Sequence, residues 1–141
     1  MTTTEYKKPI PVPDEKTSGF WEAARQHQLS FQRCNHCGYF FHPPTIYCSN
    51  CNAFEPSFGW TPVSGKGKVK SWVVMYDPLV SGFEDDVPWV NVLVQLDEQE
   101  DLLFLSGLED GPNAPIKLGA PVEVTFKDVS PEISIPYFKL A

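Results

Sequence analysis

No lysine or arginine occurs between Ser71 and Ile116, although that stretch holds ten acidic side chains. With a formal net charge of −7 over 141 residues, this argues against nucleic acid as the main partner, because binding phosphates requires a basic face. Long apolar runs are also missing. Nothing approaches the ~20 residues of a membrane span, and Met1–Lys8 lacks the apolar stretch of a secretory signal, so a cytoplasmic location is expected. Internal repeats and low-complexity segments are absent too. Cysteine is confined to four positions in one short stretch. No Ser/His/Asp or Cys/His set with a free nucleophile can be assembled, which points away from a self-contained catalyst.

What is present centres on that short stretch. Cys34-Asn35-His36-Cys37-Gly38 is followed ten residues later by Cys48-Ser49-Asn50-Cys51. Two Cys-x-x-Cys turns this close suit one tetrahedral site of four thiolates, the arrangement of closed structural zinc. Gly38 fits a reversal of the chain immediately after the first pair. Two alternatives use the same residues: iron in a rubredoxin-like site, and two disulfides, which the expected reducing compartment disfavours. His36 and His42 are read as surface or packing residues, since four sulfurs complete the tetrahedron. With no open position, the ion would hold the fold and activate no water.

Acid and base are segregated along the chain. Upstream of the acidic sector lie Lys66, Lys68 and Lys70, spaced by two, which a strand would place on one face. This stripe is read as a solvated strand face, with contact between Lys66 and Lys68 and the phosphates of a nucleotide-containing ligand as the functional alternative.

Residues 1–16, with Pro9, Pro11 and Pro13 among polar neighbours, are expected to form an extended tail. A helix is expected from Thr17 or Ser18, either of which can cap it, to about His27 or Gln28. Phe20, Trp21 and Ala24 form its apolar stripe. So short a helix with two adjacent large aromatics either packs on the next domain or docks on another subunit. Residues 17–58 therefore read as helix plus ribbon, with Leu29–Arg33 and Tyr39–Phe41 as strands at the first turn. Residues 59–141 read as strands throughout: a turn flanked by Gly65 and Gly67, a long strand through Trp72, and a loop from Asp77 to Pro88 carrying Phe83. Then come Trp89–Leu96, Leu102–Leu105, a strand with Val122, Val124 and Phe126, and a last extended segment at Ile133–Phe138. Five strands with a long first loop, a short second turn and a longer third connection suggest a small Greek-key barrel of the OB type. The fold class is thus mainly β: a short N-terminal helix, a rubredoxin-like ribbon and a five-stranded OB-fold barrel.

The combination resembles a known family. Phe20-Trp21-Glu22-Ala23-Ala24, then Leu29-x-Phe31-x-Arg33-Cys34-x-x-Cys37-Gly38, Pro43-Pro44, Cys48-x-x-Cys51 and Trp60-x-x-x-Ser64-Gly65-x-Gly67 resemble the zinc-ribbon/OB-fold proteins that partner thiolases, known as domain of unknown function thirty-five. Pro88-x-Val90, Leu118-Gly119-x-Pro121-Val122 and Pro136-Tyr137-Phe138 extend the likeness over nearly the whole chain from Thr17. Two departures stand out: Gln26-His27-Gln28 where members often carry glycine, and Thr45 where they carry arginine.

The resemblance implies an accessory subunit of a thiolase-superfamily enzyme acting on acyl-CoA thioesters, as in archaeal mevalonate assemblies or retro-aldol cleavage of steroid side-chain CoA thioesters. It implies one structural zinc on Cys34, Cys37, Cys48 and Cys51, a thiolase-like partner in a hetero-oligomer, and an acyl-CoA contact in the complex. The Asp77–Pro88 loop would approach the partner's active site. Phe20, Trp21 and Phe83 are the expected partner-facing residues. A single-stranded nucleic-acid binder is the competing reading, since ribbons and OB-folds often serve that role.

Overall fold

The computed structural model describes residues 6–141, so the first five residues of the expected tail lie outside it. One helix, α1 (Ser18–Arg25), precedes a three-stranded sheet ordered β2-β1-β3, from β1 (Ser30–Cys34), β2 (Phe40–Phe41) and β3 (Phe58–Pro62). The second sheet is ordered β6-β5-β4-β7-β8. It comprises β4 (Lys66–Met75), β5 (Trp89–Leu96), β6 (Leu103–Gly107), β7 (Pro121–Asp128) and β8 (Ser134–Leu140). Every ladder in it is antiparallel. Its ends meet through a parallel bridge, Leu108 to Phe138, so the five strands form the nearly closed barrel read from the sequence.

Alternation in β5 shows how the sequence sets the register. Val90, Val92, Val94 and Leu96 are buried, and the residues between them face outward. Phe31, Leu29, Phe20 and Phe40 belong to the same buried cluster as these valines, together with Phe104, Val122 and Phe138. Helix, ribbon sheet and barrel therefore share one apolar interior, which is how so small a ribbon is supported.

Glycine fixes the start of the barrel. Gly65 lies at φ +78°, and a Cβ there would come within 2.3 Å of Val124. The expected turn flanked by Gly65 and Gly67 is not what forms. Gly67 lies inside β4, where a Cβ would sit 2.4 Å from the backbone oxygen of Gln95. Glycine is required there because the two backbones approach so closely.

The helix also differs at both ends. Thr17 occupies the cap position without a side-chain cap bond, because its hydroxyl is engaged with Asp14, 3.0 Å away. At the other end the helix stops at Arg25, two residues earlier than expected. The amides of His27 and Gln28 bond to Ala24 and Ala23, closing a Schellman turn with His27 at φ 58°. That is the position glycine ordinarily fills. Here the imidazole lies 2.8 Å from Asp128 and stacks on Phe126 with 1° between ring planes, which holds a histidine where the backbone favours glycine.

The proline-rich segment does not stand clear of the molecule. Lys8 forms an ion pair with Asp86 and sits 5.2 Å above the Phe83 ring, tying the tail to the loop before β5.

Candidate metal centre

β1 and β2 hold the first cysteine turn between them, and β3 closes on its other side. The Asn35 amide reaches the Ser57 carbonyl, and the Asn35 side chain donates to the Ser57 hydroxyl, both at 2.8 Å. Arg33 donates from Nε to the Gly38 carbonyl at 2.8 Å while its guanidinium lies 4.8 Å over Phe40. The two turns repeat one another. Gly38 N–H donates to the Cys34 carbonyl and Asn52 N–H to the Cys48 carbonyl, both at 2.9 Å. The residue following each second cysteine is left-handed: Gly38 at φ 79° and Asn52 at φ 53°. Asparagine is among the few non-glycine residues that visit this region readily. Gly38 is legible in the sequence as a turn residue, and Asn52 carries the same signal in its matched position after Cys51.

The four expected ligands converge. All four Sγ atoms lie within 4.8 Å of one another, with Cys34 to Cys51 at 3.9 Å and Cys37 to Cys48 at 3.6 Å. A tetrahedron with metal–sulfur arms of about 2.3 Å has edges of about 3.8 Å, so the sulfurs fit a single four-coordinate ion. Cys34 and Cys48 are buried while Cys37 and Cys51 reach the surface. None of the four is in a disulfide. The Asn50 amide donates to Cys37 Sγ at 3.4 Å, and this contact holds the Cys37 thiol below its ordinary pKa. Cys51 is pushed up to about 12: the Ala53 amide pulls it down, but burial and the three other sulfurs outweigh it. Crowded sulfurs resist sharing negative charge, and a dication supplies the missing counter-charge. His36 is exposed beside this cluster and is not one of its four grouped ligands.

The remaining expected site residues are scattered. Phe20 is 7% exposed, packed within 6.1 Å of Phe31 and 5.8 Å of Phe104. It is a core residue, so the aromatic pair on the helix packs on the barrel, and Phe20 is not on the surface a partner would meet. Trp21 is half-buried and lines an apolar cavity of about 270 Å³ with Trp60, His42 and Leu105. Phe83 packs on Trp89 with ring centroids 5.1 Å apart and planes tilted by 35°, in the wall of a larger cleft of about 760 Å³. Lys66 and Lys68 are exposed on β4, but Lys66 faces Glu123 across the ladder and Lys68 shares a shallow depression with Asp97 and Glu100. These carboxylates oppose an anion there. Lys70 is the extra residue of a bulge between Val69 and Ser71, so the three lysines do not form one regular row.

The Cys-x-x-Cys turns and the barrel match two family models. Residues 21–57 match the rubredoxin-like zinc ribbon domain of ChsH2, and residues 60–127 match its C-terminal OB-fold domain. A DUF35 domain-containing scaffold protein of Methanothermobacter thermautotrophicus is 30% identical over 108 residues, which cover 77% of this chain and 78% of the relative. The chain belongs to the DUF35 family. Among solved structures, the Ltp2-ChsH2(DUF35) aldolase superposes with a TM-score of 0.78 at 30% identity, over 92% of this chain and 98% of that one. A DUF35 protein from Sulfolobus solfataricus, at 17% identity and TM-score 0.58, shares the fold. Two longer relatives are similar as well. A probable enoyl-CoA hydratase alpha subunit of Thermomonospora curvata is 34% identical over 95% of this chain. The 3-oxo-4,17-pregnadiene-20-carboxyl-CoA hydratase alpha subunit of Mycobacterium tuberculosis is 31% identical over 84%. The chain spans 40% and 36% of their respective lengths. No helix among the described residues is long and apolar enough to cross a membrane.

Proposed function

We propose that this chain is a non-catalytic accessory subunit of a hetero-oligomeric enzyme acting on acyl-CoA thioesters, with a thiolase-like partner of thiolase or retro-aldolase type, in the breakdown of steroid side chains. The observation that carries this reading is the likeness over 98% of the DUF35 chain of an aldolase complex. The steroid assignment is supported by the relative named for a pregnadiene carboxyl-CoA. The accessory role is supported by the relative named as a scaffold and by the commitment of all four thiols to one cluster. Zinc, the ion named in the matching ribbon family, would be held by Cys34, Cys37, Cys48 and Cys51 and would supply structural cross-linking.

Contact with acyl-CoA belongs, on this reading, to the assembled complex, since the acidic neighbours of Lys66 and Lys68 oppose a phosphate site on the free chain. The nucleic-acid alternative finds little support in the barrel. The outward face of β4, β5 and β6, where OB-folds bind strands, presents Val73, Asn91, Leu93, Leu105 and their neighbours without a cation from Ser71 onward.

The test is co-expression with a thiolase-like protein of the thiolase or retro-aldolase type from the same genome, followed by co-purification at near-physiological salt. A stable complex is expected, with the partner's acyl-CoA turnover at least tenfold higher than without this chain. Recovery of two separate proteins, or turnover by this chain alone, would overturn the reading.

A further inference from the structure

β4 is ten residues long, yet it pairs with β7 only over Lys66–Lys68. Val69 is still tied to the connection before β7, through Gly119 and Ala120. From Ser71 to Met75 the strand bonds to β5 alone, and among the described residues no backbone hydrogen bond reaches its other side. A free edge normally carries a defence: charge, proline or a covering segment. Ser71-Trp72-Val73-Val74-Met75-Tyr76 has neither charge nor proline, and Trp72, Val73 and Tyr76 are exposed, Val73 by 50% and Tyr76 by 77%. The one device present, the bulge at Lys70, ends the pairing with β7 and leaves the following residues open.

The segregation of charge noted in the sequence bears on what covers this edge. The bases Lys66, Lys68 and Lys70 precede it, and the acids Asp77 and Glu84 follow it, while Asp85 and Asp86 beyond them are already paired with Lys7 and Lys8. A strand that pairs antiparallel with a copy of itself about a two-fold axis brings the head of each copy alongside the tail of the other. For this strand, that sets the lysines of one molecule beside the acidic loop of its mate. Such a contact is isologous and closes at two subunits. The uncharged centre places no like charges opposite one another.

We propose that the Ser71–Met75 edge pairs antiparallel with the same edge of a second copy of this chain, joining two barrels through one continuous sheet. The pairing centres near Val73, and the opposed lysines and carboxylates at its two ends set the direction and register. A five-residue ladder is a small contact, so the dimer is reversible and salt-sensitive.

Sedimentation velocity on the purified full chain, from about 1 to 200 μM protein, tests this. The sedimentation coefficient is expected to rise with concentration to that of a dimer, and the dissociation constant to rise at least fivefold at 0.5 M salt, as screening of exposed charges requires. Val73→Lys puts two like charges at the axis and is expected to weaken the dimer at least tenfold; its far-UV spectrum should match the parent because the side chain is half exposed. Hydrogen exchange on the unsubstituted protein is the independent measure. The Ser71–Met75 amides should exchange more slowly at 200 μM than at 1 μM. A chain that stays monomeric throughout overturns the proposal, as does a dimer that Val73→Lys leaves intact or whose formation leaves those amides unchanged.

Discussion

Gln99 binds both backbone groups of Phe40: its Oε1 accepts from the Phe40 N–H and its Nε2 donates to the Phe40 carbonyl, each at 2.9 Å. A side chain from the β5–β6 turn thus acts as a one-residue strand added to the ribbon. Within the ribbon, Gln32 does the same for Thr45, at 2.8 and 2.9 Å. Replacing Gln99 with alanine removes two bonds between ribbon and barrel. It should cost about 1–3 kcal/mol in denaturant unfolding, without changing the metal content.

The four-sulfur cluster should be obligatory for stability. Cys48→Ser replaces a buried ligand with a weaker one. Bound zinc, measured by mass spectrometry under native conditions, should fall to near zero. Because Phe40 and Phe31 sit in the shared interior, the thermal transition should drop for the whole chain and not for the ribbon alone. A variant that keeps its metal or its melting temperature would refute a structural role.

His42 packs against Phe20, Phe31 and Phe104 with ring centroids 6.2, 5.2 and 5.1 Å away, and desolvation there lowers its pKa. Between that lowered value and the unfolded pKa of about 6.5, the unfolded chain binds more protons than the folded one. Stability is therefore fully present above about pH 6.5 and declines as pH falls below it. Urea midpoints at pH 7.5 and 5.5 should differ, and His42→Phe should show the smaller difference of the two proteins. Thiolate protonation contributes to both equally, so an unchanged difference would remove His42 from the account.

Two glycines separate close approach from conformational freedom. Gly67→Ala forces a methyl group against the backbone of Gln95 and should cost about 3 kcal/mol, the upper end of the ordinary range. Gly111, at φ +78° with nothing within 4 Å of a built Cβ, should lose only about 1–2 kcal/mol on substitution by alanine, the left-handed penalty. Equal losses in a denaturant series would contradict this assignment.

Much of this was readable in the chain itself. The cysteine spacing located the four-sulfur cluster because backbone reach leaves such turns few alternatives, and alternation in Trp89–Leu96 gave the inward face of the barrel. The departure at Gln26-His27-Gln28 was visible too. Its resolution was not, since it depends on Asp128 and Phe126, a hundred residues away in sequence. Phe20 was ambiguous for the same reason: an apolar stripe shows that a residue is covered and leaves open what covers it. The role of Gln99 gave no local signal, because an amide in a polar turn looks like any solvated residue until the fold brings Phe40 alongside.

One matched domain ends at residue 57 and the other begins at residue 60, so the seam between them falls at the start of β3, whose five residues all pair with β1. That seam is a boundary of description. An engineer who cuts there to graft the barrel onto another ribbon would strip β1 of a neighbour and lay bare Phe104 and Phe31 together. Recombination in this architecture would have to carry helix, ribbon and barrel as one indivisible cassette.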